Sequence, residues 1–379
     1  MKAVMIVLVV LALIASSLVQ AAEPNRSPEF SWGWRYNDRP FYYDALFSEF
    51  KYFNFQSQAV SGAITYQVAS PMLQRKLVIN AYFKENGKIW TVQKSYPLSC
   101  VTASSEQVTA DFCGGGWIEI SNAGPDIAQV RIVQAEGPLH WDLTYTAPRS
   151  QVTSQFSHFA LDRTNIGPWA GIDWYMNWSP VMRSANVQGT VKWADGSRTL
   201  AVNTDTSYHD HNYEIWYPKS QPFNWLHYTG LDTTGRRVDL TLVEFPKSDA
   251  KTFGLTLYTG GSKTFWQKGR YLLTPIGEGR IPITRRSGDR AEELRSSQID
   301  ASFSSGEAKV PRRYRITTDD HQVTAEIEVT AALSTAKDAS RSEDELLIDE
   351  QLLDARIRFL APEGEMRTTA GPAEFMGVR

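Results

Sequence analysis

The chain has 379 residues, with 39 Lys and Arg against 42 Asp and Glu and a formal net charge of −3. That balance leaves no basic footprint for nucleic acid, and the length exceeds one small core, which points to two domains. Twelve Trp, 16 Tyr and 17 Phe make the chain aromatic-rich, a composition that favours strands and lines apolar pockets.

Residues 1–22 stand apart. Lys2 precedes the apolar run AVMIVLVVLALIA, and small residues follow before Glu23-Pro24. This pattern predicts a secretory signal peptide, cut after Ala21 or Ala22. The alternative, a membrane anchor, calls for a longer run. No later stretch is apolar enough to span a bilayer, so no stable membrane span is expected after cleavage. Two sequons, Asn25-Arg26-Ser27 and Asn177-Trp178-Ser179, are candidate glycosylation sites on a secretory route, each followed by proline.

Beyond the signal the chain reads as strand after strand. ITYQVA, KLVINAYF, IWTVQKSY, WIEIS, AQVRIVQA and HWDLTYTA alternate apolar with polar residues, and Gly, Pro, Asn or Ser separates them. That pattern predicts an antiparallel barrel or sandwich. ENGK at 85–88 and ADGS at 194–197 read as hairpin turns. The two cysteines, Cys100 and Cys113, are expected to pair in an oxidising compartment. The closed loop adds roughly 3 kcal/mol in the chain-entropy account; two free buried thiols are the alternative. The run CGGG precedes a strand, not a helix, and reads as a bend.

Six of the 12 tryptophans, from Trp169 to Trp225, crowd the middle of the chain with Tyr175, Tyr208, Tyr213, Tyr217 and Phe223. They are core or pocket wall. Within them lies TSYHDHNYE at 206–214. Read as a strand, it puts His209 and His211 on one face and Tyr208, Asp210 and Asn212 on the other. Three uses compete: a metal site, an acid–base or hydrogen-bonding site facing an apolar ligand, or a closed structural knot. A metal needs a third ligand, and His140, His158 and His227 stand at no familiar spacing, so no metal is expected. A knot has to be closed completely, because an unpartnered buried polar group costs roughly 1–3 kcal/mol. No serine-hydrolase elbow, phosphate loop or dinucleotide fingerprint occurs.

The two prolines of PKSQPFN at 218–224 mark the expected domain boundary, giving 23–220 and 221–379. The second part continues in strands: RRVDLTLVEF, FGLTLYT, RYLLT, SQIDASF, RRYRITT and VTAEIEVTA. SRSEDELLIDEQLL departs from this. Its acidic start and the spacing of Ile348, Leu352 and Ala355 predict one short helix near the C-terminus. A last strand, AEFMGVR, ends the chain.

The run from Trp174 to Glu214, with a proline after an aromatic patch, the central VQGTV strand and Tyr-His-Asp-His-Asn, resembles the AttH/CrtC-like group. The closing GPAEFMG resembles that group's glycine–glutamate–glycine ending. The resemblance implies an all-β fold of two lipocalin-like (calycin) barrel or sandwich domains packed together around a small apolar ligand, without a cofactor. The group includes carotenoid 1,2-hydratases, which add water to a polyene, and fungal Diels–Alderases, which fold a linear polyene from a polyketide–peptide synthase into a ring. In the group HDHN is followed by Trp-Gly; Tyr213-Glu214 stand here, which weighs against the hydratase branch more than against the fold. The signal, the cysteine pair and the sequons point to the fungal secretory branch, hence to a Diels–Alder-type cyclase. A hydratase and a non-catalytic secreted carrier are the alternatives. Tyr208, His209, Asp210 and His211 are the candidate catalytic residues. Asn212, Trp174, Trp178, Trp216, Trp225, Tyr228 and Glu374 are the candidate substrate-binding residues, with Trp266 a further possibility. Oligomeric state is not readable.

Overall fold

The computed structural model describes residues 47–57, 59–68, 76–86, 88–102, 109–152, 157–163, 173–193, 198–215, 224–232, 234–245, 253–259, 262–282, 292–295, 307–328, 333–334, 347–351, 358–361, 364–365 and 373–377. The expected signal peptide, Asn25, Trp216 and the SQIDASF run lie outside them.

The first part of the chain forms β1 (Phe47–Gln56), β2 (Ser61–Val68), β3 (Lys76–Glu85), β4 (Lys88–Pro97), β5 (Val101–Thr102), β6 (Thr109–Phe112) and β7 (Gly116–Gly124). It continues through β8 (Ile127–Gln134), β9 (Leu139–Pro148), β10 (Ser157–Arg163), β11 (Asp173–Met182), β12 (Asn186–Trp193), β13 (Thr199–Thr204) and β14 (Ser207–Ile215). The second part holds β15 (Asn224–Leu231), β16 (Arg237–Glu244), β17 (Gly254–Thr259), β18 (Ser262–Gln267), β19 (Tyr271–Pro282), β20 (Glu292–Arg295) and β21 (Glu307–Thr318). It ends with β22 (Thr324–Glu328), β23 (Leu333–Ser334), β24 (Leu347–Gln351), β25 (Arg358–Ala361), β26 (Gly364–Glu365) and β27 (Ala373–Gly377).

These strands build four antiparallel sheets and no closed barrel. Two come from the first part, in the orders β10-β11-β14-β1-β2-β3-β4-β20 and β13-β12-β9-β8-β7-β6-β5. They face each other across one core. β9 shows why the sequence folds this way: Leu139, Trp141, Leu143, Tyr145 and Ala147 are buried while the residues between them are not. Against them lie the alternate residues of the opposite sheet. Phe53 meets Tyr145 at 5.2 Å, Phe83 meets Trp141 at 5.7 Å, and Trp141 Nε1 donates to Tyr66 Oη over 3.0 Å. Aromatic pairs at such spacings gain about 0.5–1.5 kcal/mol beyond area burial.

The other two sheets, β18-β17-β16-β15-β27-β24-β23 and β19-β21-β22-β25-β26, enclose a second cluster containing Leu226, Tyr228, Leu240, Leu255, Trp266, Tyr314, Ile316 and Ile327. β20 is the exception to this division, since it adds to the edge of β4. Trp266 Nε1 donates to Asp320 at the rim of the second core, which places Trp266 away from the HDHN strand. Two cationic contacts tie the parts together: Arg237 Nη2 to Asp205 over 2.7 Å, and the Arg183 guanidinium 3.9 Å over the Tyr258 ring.

Local chemistry explains the turns. Asn86, of the expected ENGK turn between β3 and β4, takes a φ of 50°, which Asn tolerates better than most residues. The CGGG run bends β6 into β7, with Cys113 at φ 57° and Gly114 at φ 78°. Cys113 is bonded to Cys100, so the expected disulfide is present. The ADGS turn lies outside the described residues, although Lys192 and Thr199 pair on either side of it.

The expected C-terminal helix is corrected. Leu347–Gln351 is a strand, β24, with Ile348 opposite Met376 of β27. Helical spacing lost to partnership: β27 offers a backbone ladder, and tertiary pairing overrides a weak local preference. Leu352 and Ala355 lie outside the described residues.

Candidate functional site

β14 is an interior strand, paired on one side with β1 and on the other with β11. Both of its faces are covered, so the alternation expected from the sequence separates two buried polar sets rather than an inside from an outside.

The first set faces the core of the first part. His209 stacks on Phe53, with centroids 4.0 Å apart and planes 3° apart, and its Nδ1 lies 2.9 Å from Tyr52 O. A carbonyl only accepts, so Nδ1 carries the hydrogen. Burial, then the Lys51 ammonium, push the His209 imidazole well below its ordinary pKa, so the ring is neutral. His211 Nε2 meets Glu49 Oε1 at 2.7 Å with both side chains wholly buried. Lys51, 1 % exposed, lies directly across from His211. The sequence reading missed Glu49 and Lys51. The signal was there: in FSEFKYFNFQ they stand in phase with Phe53 and Phe55, two charges on an apolar face.

The second set faces β15 of the second part. Asp210 Oδ2 accepts from Trp178 Nε1 and from Tyr208 Oη, each over 3.0 Å, and Oδ1 takes a longer bond of 3.4 Å from Asn212 Nδ2. Burial raises the carboxyl to about 7, against the two donors on Oδ2, which pull it down. Burial and the Asp210 charge drive the Tyr208 phenol well up, so it stays an O–H donor. The Tyr208 ring stacks on His227 at 4.0 Å, and Trp225 packs on Tyr52 at 5.3 Å and on Tyr208 at 5.8 Å. His227 Nε2 stands 3.4 Å from Asp239 Oδ1 without hydrogen-bond alignment.

This seam between β14 and β15 is unusual for its unmet polar atoms. Asn54 Nδ2, Thr65 Oγ1, Asn212 Oδ1, Trp225 Nε1, His227 Nε2, Thr229 Oγ1 and Asp239 Oδ1 are all buried without a hydrogen-bond partner among the described residues. Within their sheets, register sets Asn54 beside Tyr208, Thr65 beside Tyr52, and Thr229 beside Asp239. Each such atom costs about 1–3 kcal/mol when nothing answers it. The seam therefore has the make-up of a binding surface, with aromatic walls and a few donors and acceptors to fix orientation.

The expected residues divide as follows. Tyr208, Asp210, Asn212, Trp178 and Trp225 come together at the seam. His209 and His211 turn away from it into the first core. Tyr228 belongs to the opposite face of β15, in the second core. Glu374 pairs with Trp225 by backbone in β27. Trp174 lies in β11, and the side chains of Trp174 and Glu374 are outside the described set. Asn177 is only 7 % exposed within β11, a poor place for a glycan. His227, Asp239, Asn54 and Tyr52 were not among the expected site residues; His227 carries no local motif, and only the fold brings it to Tyr208. Among the described residues no group of three or more His, Cys, Asp or Glu is placed to hold a metal.

No family model and no curated protein matches the sequence. Solved structures do match in fold. An AttH protein from Nitrosomonas europaea superposes with a TM-score of 0.55 at 14 % identity, covering 95 % of this chain and 98 % of the other. CghA, solved alone and with Sch210972, superposes with a TM-score of 0.52 at 10 % identity, covering 88 % of this chain and 89 % of CghA. The chain thus shares the fold of these proteins, in keeping with the all-β fold expected from the sequence.

Proposed function

We propose that the chain is a cofactor-independent enzyme of secondary metabolism: a Diels–Alder-type cyclase that holds a linear polyene from a polyketide or polyketide–peptide pathway in one reactive fold for intramolecular [4+2] cycloaddition. The observation that carries this reading is Asp210, a buried carboxyl of pKa about 7 on an aromatic seam that also holds several unmet polar atoms. Near neutral pH a large fraction of it is a neutral acid. Oδ2 already takes two hydrogen bonds, so the proton sits on Oδ1, free to donate to a carbonyl conjugated with the dienophile. One such donor lowers a barrier by up to about 2.7–4 kcal/mol when it behaves like an oxyanion-hole donor. Orientation supplies part of a further contribution of at most about 7–11 kcal/mol, reduced because the substrate is already one molecule. Small-molecule binding by a protein of this fold, CghA with Sch210972, supports the reading. The Cys100–Cys113 disulfide supports the secretory placement that belongs to the same proposal.

A second reading, hydration of a polyene, draws on the same acid: Asp210 would protonate an alkene, and the faces of Tyr52, Tyr208 and Trp225 would stabilise the cation. One experiment separates these readings. The gene is deleted in its native host and culture extracts are compared by liquid chromatography with mass spectrometry. Loss of a cyclic metabolite with gain of an isomer of equal mass supports the cyclase. An accumulating compound lighter by one water supports the hydratase. Unchanged metabolites in altered amount or location overturn catalysis and leave a carrier.

A further inference from the structure

The seam has an acid on β14, and its other wall holds groups that this use of Asp210 leaves idle. Trp225, His227 and Thr229 alternate along β15 and so share a face, and Asp239 lies across from Thr229 on β16. His227 is 1 % exposed and Asp239 7 %. Their nearest atoms are 3.4 Å apart and misaligned, which is how catalytic hydrogen bonds often look before a ligand tightens them. Two groups of the same seam can only donate and are buried and unanswered: Trp225 Nε1, two residues along β15 from His227, and Asn54 Nδ2, across from Tyr208 on β1. A histidine beside a carboxylate, on a seam that also offers N–H donors, is the equipment for removing a proton from carbon beside a carbonyl.

We propose that His227 is a general base and that the seam enolises an apolar conjugated ketone, resting on the same seam as the substrate site. The imidazole nitrogen turned to Asp239 keeps its hydrogen. The other nitrogen takes the proton from the carbon next to the carbonyl. The C–H electron pair moves toward the carbonyl oxygen, and the resulting enolate oxygen accepts hydrogen bonds from Trp225 and Asn54. Asp239 stabilises the imidazolium. Return of a proton from His227 to carbon restores the ketone, so nothing is oxidised or reduced. In D2O the returning proton is a deuteron. Asp239 acts through His227 as a positioning residue.

The test uses the full chain with β-ionone, an apolar conjugated ketone, in buffered D2O, and follows deuterium gained by its acetyl methyl group by mass spectrometry. The wild type is expected to exchange at least about a hundredfold faster than buffer, the lower reach of a placed base. His227→Phe keeps a ring against Tyr208 and removes the base, so its rate falls to the buffer rate; His227→Gln serves if the Phe variant fails to fold by circular dichroism. Trp225→Phe lowers the rate by about a hundredfold or more, as loss of an oxyanion donor does. Asp239→Asn shifts the nitrogen chemical shifts of His227 to the other tautomer, a change that loss of packing alone does not produce. Wild-type exchange at the buffer rate, or full exchange in folded His227→Phe, overturns the proposal. Exchange that survives while gene deletion leaves every metabolite intact removes the cyclase reading and keeps the base.

Discussion

Tyr208 reaches across the molecule to His227. The two rings stack at 4.0 Å with planes 26° apart, although one belongs to β14 and the other to β15. The same Tyr208 donates its hydroxyl to Asp210, so one side chain joins the acid of the seam to its second wall. The two roles are separable by substitution. Tyr208→Phe keeps the stack and removes one donor to a carboxyl. It is expected to cost about 1.5–3 kcal/mol, as for a bond to a charged group, and to raise the Asp210 carboxyl further, since the lost bond favoured the charged form. Tyr208→Ala also empties a buried ring and costs about 3–5 kcal/mol. Urea unfolding of both, with carbon NMR of the Asp210 carboxyl, checks the pair; equal costs would show that the ring contributes nothing.

Asp210 and His209 make opposed contributions to stability against pH. The Asp210 carboxyl rises from 3.8 to about 7 on folding, so the folded state holds a proton that the unfolded chain releases. Its contribution is full below pH 3.8 and is lost as pH rises to about 7, up to about 4 kcal/mol at about 1.36 kcal/mol per pH unit. His209 is lowered instead, so its contribution is present above the ordinary value of 6.5 and declines as pH falls below it. The two slopes offset each other between pH 4 and 6.5. Asp210→Asn removes one of them. Asn212 can turn its unmet Oδ1 toward the new amide, so the variant folds. It is expected to be more stable than the wild type at pH 8 and to lose stability steadily below pH 6.5, where the wild type changes less. Denaturant midpoints across pH 4–8 measure this, and parallel curves for the two proteins would refute it.

The strands of the first sheets were legible because alternation is a local property. In β9 each second residue is apolar, and no knowledge of the rest of the chain is needed to read it. The HDHN faces were legible for the same reason. What each face meets was not. Whether Asp210 or His211 looks toward the second part depends on β15 packing against β14, and no spacing within 206–214 encodes that. β1 escaped notice because FSEFKYFNFQ mixes aromatic with polar residues on both faces, so no clean alternation of apolar and polar marks it as a strand. The C-terminal segment failed in the opposite way. Its helical spacing was real, but Leu347–Gln351 found a strand partner in β27, and a backbone ladder outweighs a weak local preference.

Glu49 and His211 form a wholly buried hydrogen-bonded pair in the first core, and its removal is expected to be lopsided. His211→Ala leaves the Glu49 carboxyl buried with its 2.7 Å partner gone and costs about 3–5 kcal/mol. Replacing both, as Glu49→Gln with His211→Leu, removes the stranded charge and recovers much of that loss. A double-mutant cycle by thermal unfolding should therefore be strongly non-additive. Additive costs would mean that the two side chains act independently, with Lys51 the true partner of Glu49.

Gly189 decides how closely β12 can pair with β9 within one sheet of the first part. It sits in β12 at φ 148°, opposite Leu143 of β9, where a side chain rarely fits. A Cβ placed on it would stand 1.9 Å from Asp142 O, and backbone cannot yield as a flexible side chain does. Gly189→Ala must therefore shift β12 off β9 or strain both. Strain of this kind costs about 1–3 kcal/mol, and displacing a ladder strand adds to it. Gly235, at φ 83° but with open space around the same construction, provides the contrast: Gly235→Ala meets the unfavourable φ without the collision and is expected to cost less. Thermal unfolding of the two variants side by side tests the argument. A smaller loss at position 189 than at 235 would show that backbone approach, the central glycine of VQGTV included, is not what holds this strand in place.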